Sequence, residues 1–130
     1  MTTFIIEGGA VRGIPSLYDE LNRIFMAGED WRLGDSLDAL DDLLYGGFGA
    51  LAESSDGVEV IWRDAAASRR ALGRAETIEY YRGKLARPEV FDQDRFRRRL
   101  ADLEAGTGPT YFDLVLDVFA GHPEVTLSLA

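Results

Sequence analysis

Residues 58–73 read VEVIWRDAAASRRALG. Val58, Val60, Ile61 and Trp62 form a short apolar run of β-branched and aromatic side chains, which predicts a buried strand. Ala65–Leu72 follows almost at once and predicts a short helix, stopped at Gly73. A strand that feeds directly into a helix is the first half of a parallel crossover unit, so the segments on either side decide whether a parallel sheet forms. Toward the N-terminus, Phe4, Ile5 and Ile6 make a second apolar run, closed by Gly8-Gly9. Leu17, Leu21, Ile24 and Phe25 then recur at helical spacing after Pro15-Ser16, predicting a helix over about 16–26. Residues 28–34 form a loop carrying Trp31 and Leu33. A further helix is expected over about 36–45, stopping at Gly46-Gly47.

Toward the C-terminus the pattern is mixed over about 74–94. A helix over 77–85, ended by Pro88, is the expectation there. Phe96, Leu100 and Leu103 at i, i+4 and i+7 mark an amphipathic helix over about 94–104. Residues 106–110 form a turn. Thr110 with Asp113 has the form of a capping box, and Phe112, Val115, Leu116 and Phe119 give the next helix an apolar face. Val125, Leu127 and Leu129 alternate with polar residues as a terminal strand. Strands separated throughout by helices predict an α/β fold, a three-stranded parallel sheet packed against helices.

Composition narrows the chemistry. The chain has 130 residues, a one-domain length, and no cysteine, which removes disulfides, thiolate nucleophiles and Cys-ligated metals. Its one histidine, His122, rules out a multi-histidine metal site. No cofactor and no metal site are expected. No apolar stretch approaches the roughly 18 residues of a membrane span, and the N-terminus has no signal-peptide pattern. A cytoplasmic protein without a membrane partner is the expectation. The formal net charge is −9, which disfavours nucleic acid and favours a basic partner.

The charge is unevenly placed. Residues 33–62 hold seven acids and no base, whereas residues 63–104 hold eight acids and eleven bases. Four of the seven acids fall on or beside the helix expected over 36–45. At about 100° per residue, Leu37, Leu40, Leu43 and Leu44 form its core face. Asp35, Asp38 and Asp42 gather on the opposite face, with Tyr45 beside them and Asp41 at the core boundary. Asp35 is a candidate N-cap, and Asp38 suits the positive end of the helix dipole. Asp42 lies beyond the first turn, so neither role accounts for it. Like charges at i, i+4 cost about 0.2–0.5 kcal/mol. A convex acidic face flanked by aromatics suits the plugging of a basic cleft better than general acid–base catalysis, which needs a cleft of its own.

Other candidates have plainer readings. The turn at 106–110 lacks a preceding strand and a phosphate-binding lysine, so it reads as a turn with an N-cap. Arg95, Arg97, Arg98 and Arg99 share their helix with Asp92, Asp94, Asp102 and Glu104, a solvated charged face by default. His122 reads as a hydrogen-bonded turn residue and Trp62 as core. Ser68 has no nearby base and is not a nucleophile.

Four pieces of the sequence, in order, resemble the barstar family, the intracellular inhibitors of barnase-type ribonucleases. They are FIIEGGAVRGIPSLYDELNRIF, GDSLDALDDLLYG (34–46), EVIWRDAAASRRALG and YFDLVLDVFAGHPEVTLSLA. The resemblance covers most of residues 3–73 and 108–130. It implies a single barstar-like domain over 1–130, with a helical insertion at about 74–107 before the last helix. It also implies a non-enzymatic function of the antitoxin or immunity type. Family members plug the ribonuclease active site with the second helix and the loop before it, two helix aspartates taking the place of RNA phosphates. Those positions match Asp38 and Asp42. Gly34 matches the glycine that opens the helix, Leu33 and Arg32 fall at loop contacts, and Trp31 supplies the loop aromatic. Tyr45 matches a contact position, and Asp41 stands where an aromatic is common. Asp35 completes the expected partner-binding set. The acidic contact of the family's last helix falls at about Ala120–Gly121 and is absent. The implied partner is a basic, extracellular, barnase-like ribonuclease, met by a free monomer. The alternative is a barstar-like module that serves a non-ribonuclease partner through the Arg-rich segment.

Overall fold

The computed structural model describes residues 1–54, 56–87 and 92–130. Strand β1 (Thr2–Glu7) leads through a 3-10 turn at Gly8–Ala10 into α1 (Ile14–Phe25) and α2 (Leu37–Leu44). A 3-10 turn at Ala50–Glu53 precedes β2 (Val58–Arg63). Then come α3 (Ala65–Ala71), α4 (Arg74–Leu85), α5 (Gln93–Glu104), α6 (Tyr111–Ala120) and β3 (Val125–Leu129). The sheet is parallel throughout with β2 central: Phe4 and Leu127 flank Val60, and Ile6 and Leu129 flank Trp62. This is the expected α/β class, a three-stranded parallel sheet packed against helices.

One face of the sheet carries the core. Ile6, Val60 and Trp62 point into it and are fully buried, together with Leu17, Leu21 and Phe25 of α1, and Leu40 and Leu43 of α2. Trp62 stacks edge-on against Phe112 of α6 at 5.2 Å and donates its indole N–H to Ser68 Oγ at 2.9 Å. Ser68, also fully buried, donates in turn to the Gly8 carbonyl at 2.9 Å. A side chain at position 8 would bring a Cβ within 2.3 Å of the Arg63 carbonyl, so only glycine lets the ends of β1 and β2 approach this closely. The terminal strand forms as expected, but its alternation buries only its first member: Val125 is buried while Leu129 is 44% exposed.

Several boundaries differ from the sequence expectation. Helix α1 begins at Ile14, two residues before Ser16. Pro15 occupies its first turn, where a missing N–H costs nothing, and Ser16 Oγ turns back to accept from Gly13 N–H at 3.0 Å. Helix α4 begins at Arg74, not Thr77; the expected stop at Pro88 lies outside the described residues.

Helix α4 is tied to the rest of the chain at several points. Glu76 accepts from Ile14 N–H at 2.7 Å, capping α1 from outside, and Thr77 Oγ1 accepts from Tyr111 N–H at 2.8 Å. Arg74 donates to the Leu103 and Glu104 carbonyls at the end of α5, where a cation also favours the helix dipole. The Tyr81 ring packs on Phe96 at 5.6 Å, closing α4 on α5. The capping box of α6 forms: Thr110 N–H donates to Asp113 Oδ2 at 3.0 Å, and Asp113 N–H to Thr110 Oγ1 at 3.3 Å.

Candidate functional site

Helix α2 is short, eight residues, and amphipathic. Its Leu40, Leu43 and Leu44 are buried against the core. Ser36, not Asp35, is its N-cap: Ser36 Oγ accepts from Ala39 N–H at 3.1 Å, while Ser36 N–H donates to the Gly34 carbonyl. The one-residue difference has a physical reason. With Leu37 as the first helical residue, only the Ser36 side chain reaches the amide three positions on. Asp35 is thereby released from a capping role, and its carboxylate is exposed beside those of Asp38 and Asp42. Among the described residues these three carboxylates make no ion pair. Asp38, in the first turn, also faces the positive end of the helix dipole.

Asp41 behaves differently. It is half-buried at the edge of the core face, and its Oδ1 lies 2.6 Å from Nε2 of His122. The histidine is 2% exposed, and its other ring nitrogen lies 3.4 Å from Glu124 Oε1. Tyr45 caps this pair, with its ring edge-on to the imidazole at 4.6 Å and 73% of its surface exposed.

The loop before α2 is fixed by one side chain. Asn22 of α1 accepts from Leu33 N–H at 2.7 Å, donates to the Tyr18 carbonyl at 2.8 Å and reaches the Leu33 carbonyl at 3.4 Å. Leu33 is itself 5% exposed and packs into the core, so its side chain holds the loop down and is not offered to solvent. Trp31 is 45% exposed and leans on Phe48 at 4.8 Å. Arg32 pairs with Asp19 at 2.9 Å on the surface. At Gly34 a Cβ would meet nothing within 4 Å, so the fold does not need glycine there.

The expected site residues therefore divide into two groups. Trp31, Gly34, Asp35, Asp38, Asp42 and Tyr45 share the exposed surface of the loop and α2. Leu33 lies beneath it as a support, and Asp41 stands at its edge, its side chain held by His122 but still 45% exposed. Three supporting residues lie outside the expected site, although His122 reads from the sequence as the hydrogen-bonded turn residue that it is. Ser36 carried a visible signal, as a serine three positions before Ala39. Asn22 and His122 act across 11 and 81 positions of chain, and no local pattern marks either contact.

Among the described residues no group of three or more His, Asp or Glu is placed to hold a metal ion, and no helix is long and apolar enough to cross a membrane. Residues 1–82 match the family model described as Barstar (barnase inhibitor). The match takes in β1 through α3 and ends inside α4. No curated protein sequence matches the chain significantly.

Proposed function

Because the chain belongs to the barstar (barnase inhibitor) family, we propose that it is a non-enzymatic inhibitor of a basic, barnase-type ribonuclease. It seats the exposed face of α2 and the preceding loop in the nuclease active site. The observation that carries this reading is the set of carboxylates on α2 that the fold leaves without cationic partners among the described residues. Helix α2 tolerates like charges at i, i+4 because its leucines are buried and its first turn is capped, so its stability does not depend on neutralising them. Asp38 and Asp42 take the place of RNA phosphates, with Asp35 beside them. Trp31 and Tyr45 supply aromatic contact at either end, and Gly34 lets the partner approach the backbone. In this reading residues 1–130 form one domain in which about 74–107 are an insertion. The free protein is a cytoplasmic monomer.

The test is inhibition and binding against a panel of barnase-type ribonucleases, with Asp38→Ala, Asp42→Ala and the double variant beside the parent. Each single change is expected to weaken binding by roughly 30-fold or more, since it strips a counter-charge from a buried cation of the partner. Association should slow steeply as salt is added. Failure of the parent to bind any member, or equal binding by the double variant, overturns the proposal. Loss of complex formation on Arg97→Glu but not on Asp42→Ala would favour a partner that uses the Arg-rich helix instead.

A further inference from the structure

The first turn of α2 forms one bank of a groove whose other bank is the α4–α5 hairpin. The groove encloses about 320 Å³. Asp38 stands on one side; Tyr80, Tyr81, Arg95, Phe96 and Arg99 form the other. Arg95 and Arg99 are one turn apart on α5, so their guanidinium groups lie on the same face. Arg99 and Tyr81 line this bank together. Both arginines act on the Tyr81 phenol and Arg95 also on Tyr80, while Asp38 acts on Tyr80 from the far bank. A second hollow of about 410 Å³ shares Arg95 and Arg99 and adds Arg98. Among the described residues none of these three arginines has a carboxylate partner at ion-pair distance. The chain thus places a cationic, aromatic-floored groove directly beside its most acidic helix, although the molecule as a whole carries a net charge of −9.

We propose that this groove is a second recognition element, which docks an acidic, aromatic-bearing segment of the same ribonuclease whose basic cleft α2 fills. The proposal rests on the ribonuclease reading of α2. Two observations select the occupant. The groove is continuous with α2 through Asp38, so a body seated on the exposed face of α2 already overhangs it. Its charge is opposite to that of the α2 face, so it fits a partner surface on which a carboxylate patch flanks the basic cleft. A polyphosphate chain fits less well, because Asp38 forms part of the wall and would oppose a continuous row of negative charge. The hairpin then acts as a filter. A nuclease with a basic rim instead of an acidic one would meet Arg95 and Arg99 as like charges, and like-charge juxtaposition discriminates between partners.

The experiment reads the groove independently of α2. The ¹⁵N-labelled protein is titrated with a capped pentapeptide, Gly-Glu-Tyr-Glu-Gly, with its Gly-Gln-Tyr-Gln-Gly counterpart, and with tetrauridylate. Amide shifts concentrated on residues 80–84 and 93–99 are expected for the acidic peptide. The glutamine peptide should bind at least tenfold more weakly. Arg95→Glu, a change at an exposed position, should abolish the shifts while leaving the rest of the spectrum in place, and Arg99→Gln should weaken them. Asp38→Asn with Asp42→Asn should leave peptide binding intact or tighter, whatever it does to ribonuclease inhibition. Equal binding of the two peptides, shifts that cluster elsewhere, or saturation of the groove by tetrauridylate at lower concentration overturns the proposal. So does normal peptide binding by a parent protein that inhibits no ribonuclease in the panel, since the acidic segment would then belong to another kind of partner. The panel reports on the ribonuclease reading whatever the titration gives, and the titration shows whether the groove takes an acidic segment whatever the panel gives.

Discussion

Asp41 and His122, 81 residues apart in sequence, meet at 2.6 Å and join the acidic helix to the turn between the last helix and the last strand. The histidine is buried and the aspartate half-buried, so the contact is only partly screened by water. It engages one of the four aspartates near α2 and makes it an anchor, with the side chain still partly exposed. Replacing His122 with Ala leaves Asp41 short of a partner and opens a void under Tyr45. The expected loss is about 2–3 kcal/mol of unfolding free energy in urea. A double-mutant cycle with Asp41→Asn should return a coupling of about 1 kcal/mol or more. A coupling near zero would show that the two residues act independently.

The two buried phenols of Tyr18 and Tyr111 share a hydrogen bond of 2.6 Å between α1 and α6. Both are fully buried. Changing either to Phe leaves the other hydroxyl without that partner and should cost about 1–3 kcal/mol, whereas the double change should cost less than the sum. Burial pushes both phenols well above their ordinary value near 10. The unfolded chain therefore ionises these groups first as pH rises past about 10, and stability falls. Thermal melts from pH 8 to 11 should show this decline in the parent and a shallower one in the double Phe variant.

At the acid end the corresponding group is Glu20. Hydrogen bonds from Arg23, at 2.7 and 2.8 Å, hold its carboxyl below the ordinary value of 4.5; burial opposes this, and Glu7 N–H adds to it at 2.7 Å. A depressed folded value means the stabilisation is complete above the unfolded value and is lost as pH falls through the folded one. Glu20→Gln should cost about 1–3 kcal/mol at pH 7 and flatten the acid limb of the stability curve below about pH 4.5. An unchanged limb would assign acid sensitivity to other carboxylates.

Gly34 separates folding from recognition. A methyl group there meets no atom of the chain within 4 Å, so Gly34→Ala should melt within about 0.5 kcal/mol of the parent. If a partner backbone lies against this position, the same change should weaken inhibition by tenfold or more. Gly8→Ala supplies the contrast. Its Cβ would press on the Arg63 carbonyl, and a loss of about 1–3 kcal/mol or more is expected with no role in binding.

Much of this architecture is legible in the sequence because it is local. The three strands follow from apolar runs, α2 from four leucines on one face, and the α6 cap from Thr110 and Asp113, whose bonds form as their spacing implies. What escapes is what depends on tertiary contact. Helix α4 shows no single apolar stripe because it is held between two neighbours. Tyr80 packs on Tyr111 of α6 while Tyr81 packs on Phe96 of α5, and adjacent residues on a helix face different ways. Its start at Arg74 depends on a guanidinium that reaches the end of α5, which no window of sequence contains. Leu33 reads as a loop contact by position, yet Asn22 pins its backbone and its side chain turns inward.

That amide of Asn22, gripping the peptide groups around Leu33, has a calorimetric consequence. A loop already fixed at both its N–H and its C=O has little conformational freedom left to surrender on docking. The heat-capacity change of complex formation should therefore track the apolar surface covered at the interface, with no added contribution from a segment folding as it binds. Removing the grip with Asn22→Ala should make that change more negative and the association entropy less favourable, even where the final complex has the same shape.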